Sequence, residues 1–111
     1  MISSLEKLLG TPRDGALLRY SLGLEYAKAG DHARAAQYLR DAVARDPHYS
    51  AAWKALGRSL SDAGLLAEAL EAYAHGIEAA RVKGDRQAEK EMTVFRKRLE
   101  KGAAGPRKDP K

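Results

Sequence analysis

Apolar residues recur every three or four positions along most of the chain, with polar residues between them. This spacing places the apolar side chains on one face of an α-helix, whereas a half-buried strand would need strict alternation. The main stripes are Leu18, Leu22, Tyr26 and Ala29; Ala35, Tyr38, Leu39, Ala42 and Val43; Trp53, Leu56 and Leu60; Ala69, Leu70, Tyr73 and Ile77; and Ala88, Met92, Phe95 and Leu99. With a short amphipathic stretch at the N-terminus, they predict an all-α fold of about six helices.

Part of this pattern is written twice. Leu22-Gly23 recurs 34 positions later as Leu56-Gly57, and Ala29-Gly30 recurs at the same distance as Ala63-Gly64. Self-similarity at a fixed period of roughly 20 to 50 residues is typical of proteins that stack similar helical units. Because Gly23 and Gly57 lack side chains, we expect helix axes to approach closely at these two positions.

Cap and turn residues divide the chain into segments. Ser3 and Glu6 have the spacing of a capping box, which predicts an N-terminal helix. The predicted N-caps of later helices are Asp14, Asp31, Ser50 and Asp85. The resulting divisions are an N-terminal helix over 2–9, a first repeat over 16–49, a second repeat over 50–83, a capping helix over 85–101 and a disordered basic tail over 102–111.

The residues at the repeated positions resemble those of a known family. The first unit has Leu22, Gly23, Tyr26, Gly30, Ala35, Leu39, Ala42 and Pro47, and the second has Trp53, Leu56, Gly57, Gly64, Ala69 and Tyr73. This combination resembles the tetratricopeptide repeat (TPR) family, and in particular small bacterial proteins with two repeats and a C-terminal capping helix. Departures from the pattern are Arg19 in place of the usual Trp, and Leu60, Gly76 and Arg81 in the second unit. The resemblance implies a right-handed superhelix of antiparallel helix pairs whose first helices line a concave, peptide-binding groove.

The same resemblance implies which side chains face that groove. They are Leu17, Tyr20, Ser21, Leu24, Lys28, Ala51, Lys54, Ala55, Arg58 and Asp62. Lys54 and Arg58 are one helical turn apart, which suits a peptide that bears a carboxylate. The set departs from the carboxylate-clamp subgroup, because Leu24 and Arg58 stand where asparagine would be and there is no third repeat.

The sequence lacks the residue patterns that several classes of function require. The serines have no nucleophile-elbow context, the three histidines have no metal-ligand spacing, and the glycines form no phosphate-binding loop. We therefore expect no enzyme, no cofactor and no metal site. Cysteine is absent, the N-terminus does not resemble a signal peptide, and no run of 18 apolar residues occurs. The expectation is a cytoplasmic protein without a membrane partner.

The net charge of +5 leaves more than one kind of partner open. The favoured function is a non-catalytic adaptor that binds a protein or peptide partner in the groove, with an acidic segment as one option. The alternative is a nucleic-acid-associated protein that uses the tail and the basic residues of the last helix, namely Arg96, Lys97, Arg98 and Lys101. A self-associating scaffold is a further option, and the expected states are a monomer or weak self-association.

Overall fold

The computed structural model describes residues 1–104. Within this range it contains six α-helices and no β-strand, which confirms the all-α class: α1 Ile2–Glu6, α2 Ala16–Lys28, α3 His32–Arg45, α4 Ser50–Asp62, α5 Leu66–Lys83 and α6 Arg86–Ala104. Residues 102–104 belong to α6, so the predicted tail begins later than expected. The rest of that tail, 105–111, lies outside the described residues.

Three of the four turns that join the long helices α2 to α6 are similar. Gly30, Gly64 and Gly84 all have positive φ angles, between 73° and 83°, in the left-handed region that glycine occupies without strain. At each turn, the backbone N–H after the glycine donates to the carbonyl five residues earlier, at 2.8–2.9 Å. This is the Schellman arrangement that ends many helices. It gives the α2–α3 and α4–α5 pairs the same connection, which is the structural counterpart of the sequence repeat.

Small residues set the distance between helices, as the repeat predicts. A Cβ built on Gly23 would lie 2.5 Å from Leu39 Cγ, and one built on Gly57 would lie 2.5 Å from Tyr73 Cε1. Gly76 has the same role between α5 and α6, because its Cβ would lie 2.4 Å from the sulfur of Met92. Real Cβ contacts are not that short, so α2–α3, α4–α5 and α5–α6 can pack this closely only with glycine at these positions.

The core runs along the stack of helices. Its largest fully buried side chains are Leu22, Leu39, Leu56, Leu60 and Met92. Met92 lies on α6, which packs mainly against α5 and more lightly against α4. The predicted role of α6 as a cap is consistent with this position, since its apolar side covers the second helix pair while most of its charged residues remain exposed.

The N-terminal segment differs from its prediction. Helix α1 ends at Glu6 instead of continuing to residue 9, and no side chain caps its first turn, so Ser3 and Glu6 do not form a capping box. Glu6 instead accepts hydrogen bonds from the hydroxyl groups of Tyr26 (2.6 Å) and Tyr38 (3.3 Å). These two rings are stacked, with centroids 5.5 Å apart. The Glu6 carboxylate therefore attaches α1 to the first helix pair.

Two of the four other predicted caps are present. Asp31 and Asp85 each accept a hydrogen bond at 3.1 Å from the backbone N–H three residues later. Asp14 is not an N-cap, because its carboxylate binds the guanidinium of Arg19 at 2.9 Å. The prediction for Ser50 is also wrong, since it is the first residue of α4 and its hydroxyl donates to Asp85 Oδ2 at 3.3 Å.

Candidate peptide-binding surface

Helix α4 contacts both α2 and α6, and a cleft lies along each of these contacts. The first, the α2–α4 cleft, has a volume of about 440 Å³ and is lined by Leu24, Ala27, Lys28, His32, Ala55, Arg58, Ser59 and Asp62. The second, the α4–α6 cleft, has a volume of about 360 Å³ and is lined by Arg58, Ser61, Tyr73, Phe95, Arg98 and Leu99. Arg58 lines both clefts, so they adjoin on one surface.

Half of the predicted groove residues line the α2–α4 cleft. They are Leu24, Lys28, Ala55, Arg58 and Asp62. The remaining five line neither cleft: Leu17, Tyr20, Ser21, Ala51 and Lys54. Leu17 is 69% exposed, and the Tyr20 ring packs against Tyr49 with a centroid distance of 5.0 Å. The role of all ten residues in binding stays a prediction.

The α2–α4 cleft combines an apolar floor with polar groups at its edge. Leu24 and Ala55 are partly buried, whereas Arg58 and Asp62 are exposed. The Nδ1 atom of His32 is inaccessible to solvent and has no hydrogen-bond partner. A buried polar atom without a partner is uncommon in folded proteins. This cleft can offer apolar contact and charge to a ligand, whereas the enclosed Nδ1 atom of His32 is not accessible to one.

Lys54 does not act as a free cation. Its Nζ atom lies 2.8 Å from Glu91 Oε1 on α6, and this hydrogen bond lowers the pKa of the Glu91 carboxyl below its ordinary value. The sequence suggested that Lys54 and Arg58 form a pair of available charges, and the structure corrects this. Lys54 is used within the protein to join α4 to α6, while Arg58 makes no ion pair with the described residues.

Arg98 is the cation that adjoins Arg58. Sequence reasoning grouped Arg98 with the basic tail, but the structure places it on the wall of the α4–α6 cleft, opposite α4. The sequence also gave no indication that Tyr73 and Phe95 belong to a cleft, because both lie on apolar stripes and were interpreted as packing residues. Their rings do pack together, with centroids 5.9 Å apart, and the same two side chains form the floor of the cleft. The signal that could have identified them is the position of α6, which follows the second pair as the first helix of a third pair would.

Two absences apply to the described residues. No group of three or more His, Cys, Asp or Glu side chains in this range could hold a metal ion. Similarly, none of the helices within residues 1–104 combines the length and hydropathy needed to cross a membrane.

Each of the two stacked helix pairs contains an equivalent glycine turn, and one further helix follows the second pair. Clefts lie between α2 and α4 and between α4 and α6. This arrangement defines a class of helical repeat protein. The sequence matches the family model described as tetratricopeptide repeat over residues 26–88, which is more than half of the chain. The chain belongs to the tetratricopeptide repeat family. Domains of this family generally serve as protein–protein interaction modules and are typically non-catalytic.

Known proteins resemble the chain over most of its length. A TPR repeat-containing protein of Pseudomonas aeruginosa is 50% identical over 101 residues, which make up 91% of this chain and 96% of that protein. The solution structure of a Bordetella parapertussis protein is 40% identical, with a TM-score of 0.80 and coverage of 94% and 90% of the two chains. The crystal structure of the Sgt2 TPR domain from Aspergillus fumigatus is 29% identical, with a TM-score of 0.81, and the match covers 99% of this chain and 72% of that one.

Proposed function

We propose that the protein is a non-catalytic adaptor that binds an extended peptide segment of a partner protein along the α2–α4 and α4–α6 clefts. The observation that carries the proposal is that the two clefts adjoin at Arg58, on helices whose positions are fixed by close packing. Rigid helices can present such a surface without reorganisation, which reduces the entropic cost of binding.

The dimensions of the clefts support a peptide ligand. Volumes of about 440 and 360 Å³ are at the lower end of the range for ligand pockets, roughly 300–1,000 Å³, so each can take a few side chains. In the α2–α4 cleft, the small side chains of Ala27 and Ala55 leave room for a backbone to approach.

A substitution that fills the first cleft tests the adaptor proposal. Ala55→Arg places a long side chain on the floor of the α2–α4 cleft, whereas Ala74→Arg makes the same change at an exposed position of α5 outside both clefts. The tagged full chain and both variants are used for affinity capture from an extract of the native cell, followed by quantitative mass spectrometry. Circular dichroism confirms that both variants fold.

We expect partner proteins captured by the parent chain to be retained by Ala74→Arg and lost from Ala55→Arg. Equal capture by both variants would contradict binding in the α2–α4 cleft. Loss from both variants, with folding intact, would place the interaction on another surface.

A further inference from the structure

The α4–α6 cleft is flanked by two guanidinium groups that the fold does not use. Arg58 and Arg98 are both exposed, and neither makes an ion pair with the described residues. Most other arginines of the helices do make such pairs, namely Arg19, Arg34, Arg40, Arg81 and Arg96. Two unpaired guanidinium groups on opposite walls of one cleft are complementary to an anionic group, and guanidinium is well suited to bind a carboxylate through two hydrogen bonds.

Apart from the two arginines, the lining of this cleft is mainly apolar, with hydroxyl groups on Ser61 and Tyr73. Phe95 and Leu99 are only partly buried, so they leave apolar surface for a ligand. The Tyr73 ring is buried, and its hydroxyl makes no hydrogen bond to the described residues. Burial raises the pKa of Tyr73 to about 12. The hydroxyl is protonated at neutral pH, as that of an ordinary tyrosine is, and can donate a hydrogen bond. The cleft thus offers donors for an anion next to an apolar surface.

We propose that the α4–α6 cleft recognises an acidic side chain followed two residues later by an aliphatic or aromatic side chain in the bound peptide. In an extended peptide, side chains two positions apart lie on the same face, roughly 7 Å apart. The carboxylate would lie between Arg58 and Arg98, and the apolar side chain would pack on Phe95 and Leu99. This inference rests on the proposed adaptor function, because it names the kind of peptide that the adaptor binds.

The composition of the cleft favours this peptide over a nucleic acid. A nucleic acid backbone requires a row of cations that follows successive phosphates. Here only two of the six lining residues, Arg58 and Arg98, are cations, and the other four are uncharged. Lys54, the next cation along α4, is already neutralised by Glu91.

Synthetic peptides test the inference directly. The probes are three pools of fluorescein-labelled, C-terminally amidated 12-residue peptides with randomised flanks, which carry Glu-x-Leu, Gln-x-Leu or Glu-x-Ser at the centre. Binding to the full chain is measured by fluorescence anisotropy. We expect the Glu-x-Leu pool to bind roughly tenfold more tightly than either of the other pools, because each loses one of the two contacts.

Variants then identify the residues responsible. Arg58→Met and Arg98→Met keep the length of the side chain and remove its charge, so each should weaken binding of the Glu-x-Leu pool roughly tenfold and leave the Gln-x-Leu pool unchanged. Lys97→Met is the matched control, because Lys97 is an exposed cation that precedes Arg98 on α6 and does not line this cleft. It should bind all three pools as the parent chain does.

The failures of the two proposals are distinguishable. If the three pools bind equally, or if Arg58→Met and Arg98→Met bind like the parent chain, the inference about acidic peptides is wrong. The adaptor function still stands in that case, provided that Ala55→Arg loses its captured partners. If Lys97→Met weakens binding as much as Arg98→Met, the basic surface of α6 acts without the cleft and the inference is also overturned.

Discussion

Replacing Gly57 with alanine tests whether close helix packing determines the geometry of the second repeat. The new methyl group would lie 2.5–2.7 Å from three atoms of the Tyr73 ring. Ordinary contacts begin at about 3.4 Å, so the ring would have to move by nearly 1 Å. Tyr73 is only 3% exposed and packs against Phe95, and the displacement would therefore be transmitted to α6.

Two opposing effects determine the expected change in stability. Alanine is a better helix former than glycine by about 1 kcal/mol, which favours the variant. Overpacking a well-filled core costs about 1–3 kcal/mol, and the upper part of that range applies because the clash involves a buried ring and not the end of a flexible chain. The net expectation is a loss of about 1–2 kcal/mol, and hence a Tm lower by roughly 4–16 °C.

Thermal and urea unfolding followed by circular dichroism measure the change. Gly102→Ala is the control, because a Cβ at Gly102 meets no atom within 4 Å and the substitution should leave the Tm unchanged or slightly raised. In a Tyr73→Ala background the side chain that the new methyl group would meet is absent, so Gly57→Ala should become neutral or stabilising relative to that background. A Gly57→Ala protein that is more stable than the parent would show that α4 and α5 are not held at this distance.

Two further predictions concern the cap and the charges around the first pair. Truncation after Gly84 removes α6 and exposes apolar surface. Because burial of that surface stabilises the protein by about 1.5–3 kcal/mol per large side chain, the truncated chain should lose its cooperative unfolding transition. A sharp transition would contradict the capping role. The hydrogen bond from Arg19 lowers the pKa of Asp14 in the folded state, and stability should therefore fall as the pH decreases below about 4, where the unfolded chain takes up the proton first. Urea midpoints at neutral pH and at about pH 3 should show a smaller loss for Asp14→Asn than for the parent chain, and an equal loss would contradict the linkage.

The helices were predictable because they depend on local spacing, whereas two of the predicted helix caps bind other side chains of the folded chain instead. Asp31 caps α3 with a neighbouring backbone group, so sequence alone identified it. Ser50 has an equally suitable position, but its hydroxyl bonds to Asp85, which is 35 residues away. Asp14 bonds to Arg19, which is only five residues away but whose guanidinium is also held by Asp41 of α3. Local propensity cannot rank such alternatives, because the competing partner becomes available only in the folded chain.

The same limit applies to the candidate site. Lys54 and Arg58 are equivalent by sequence, since both are long cations on the same side of one helix. They differ in the structure because α6 places Glu91 beside Lys54 and places an apolar surface beside Arg58. The position of α6 depends in turn on the contact between Met92 and Gly76, which is not visible as a pattern in the sequence. The α2–α4 cleft was partly predictable because it lies within the repeat.

Helix α6 has two tasks, since it covers the second helix pair and provides one wall of the α4–α6 cleft. A ligand that contacts Arg98 and Phe95 can remain bound only while α6 is docked. By mass action, such a ligand slows the local opening of the C-terminal end and protects its backbone amides from hydrogen exchange. Occupancy of the cleft could therefore be read from amide protection of a single helix, even when the remainder of the protein does not change.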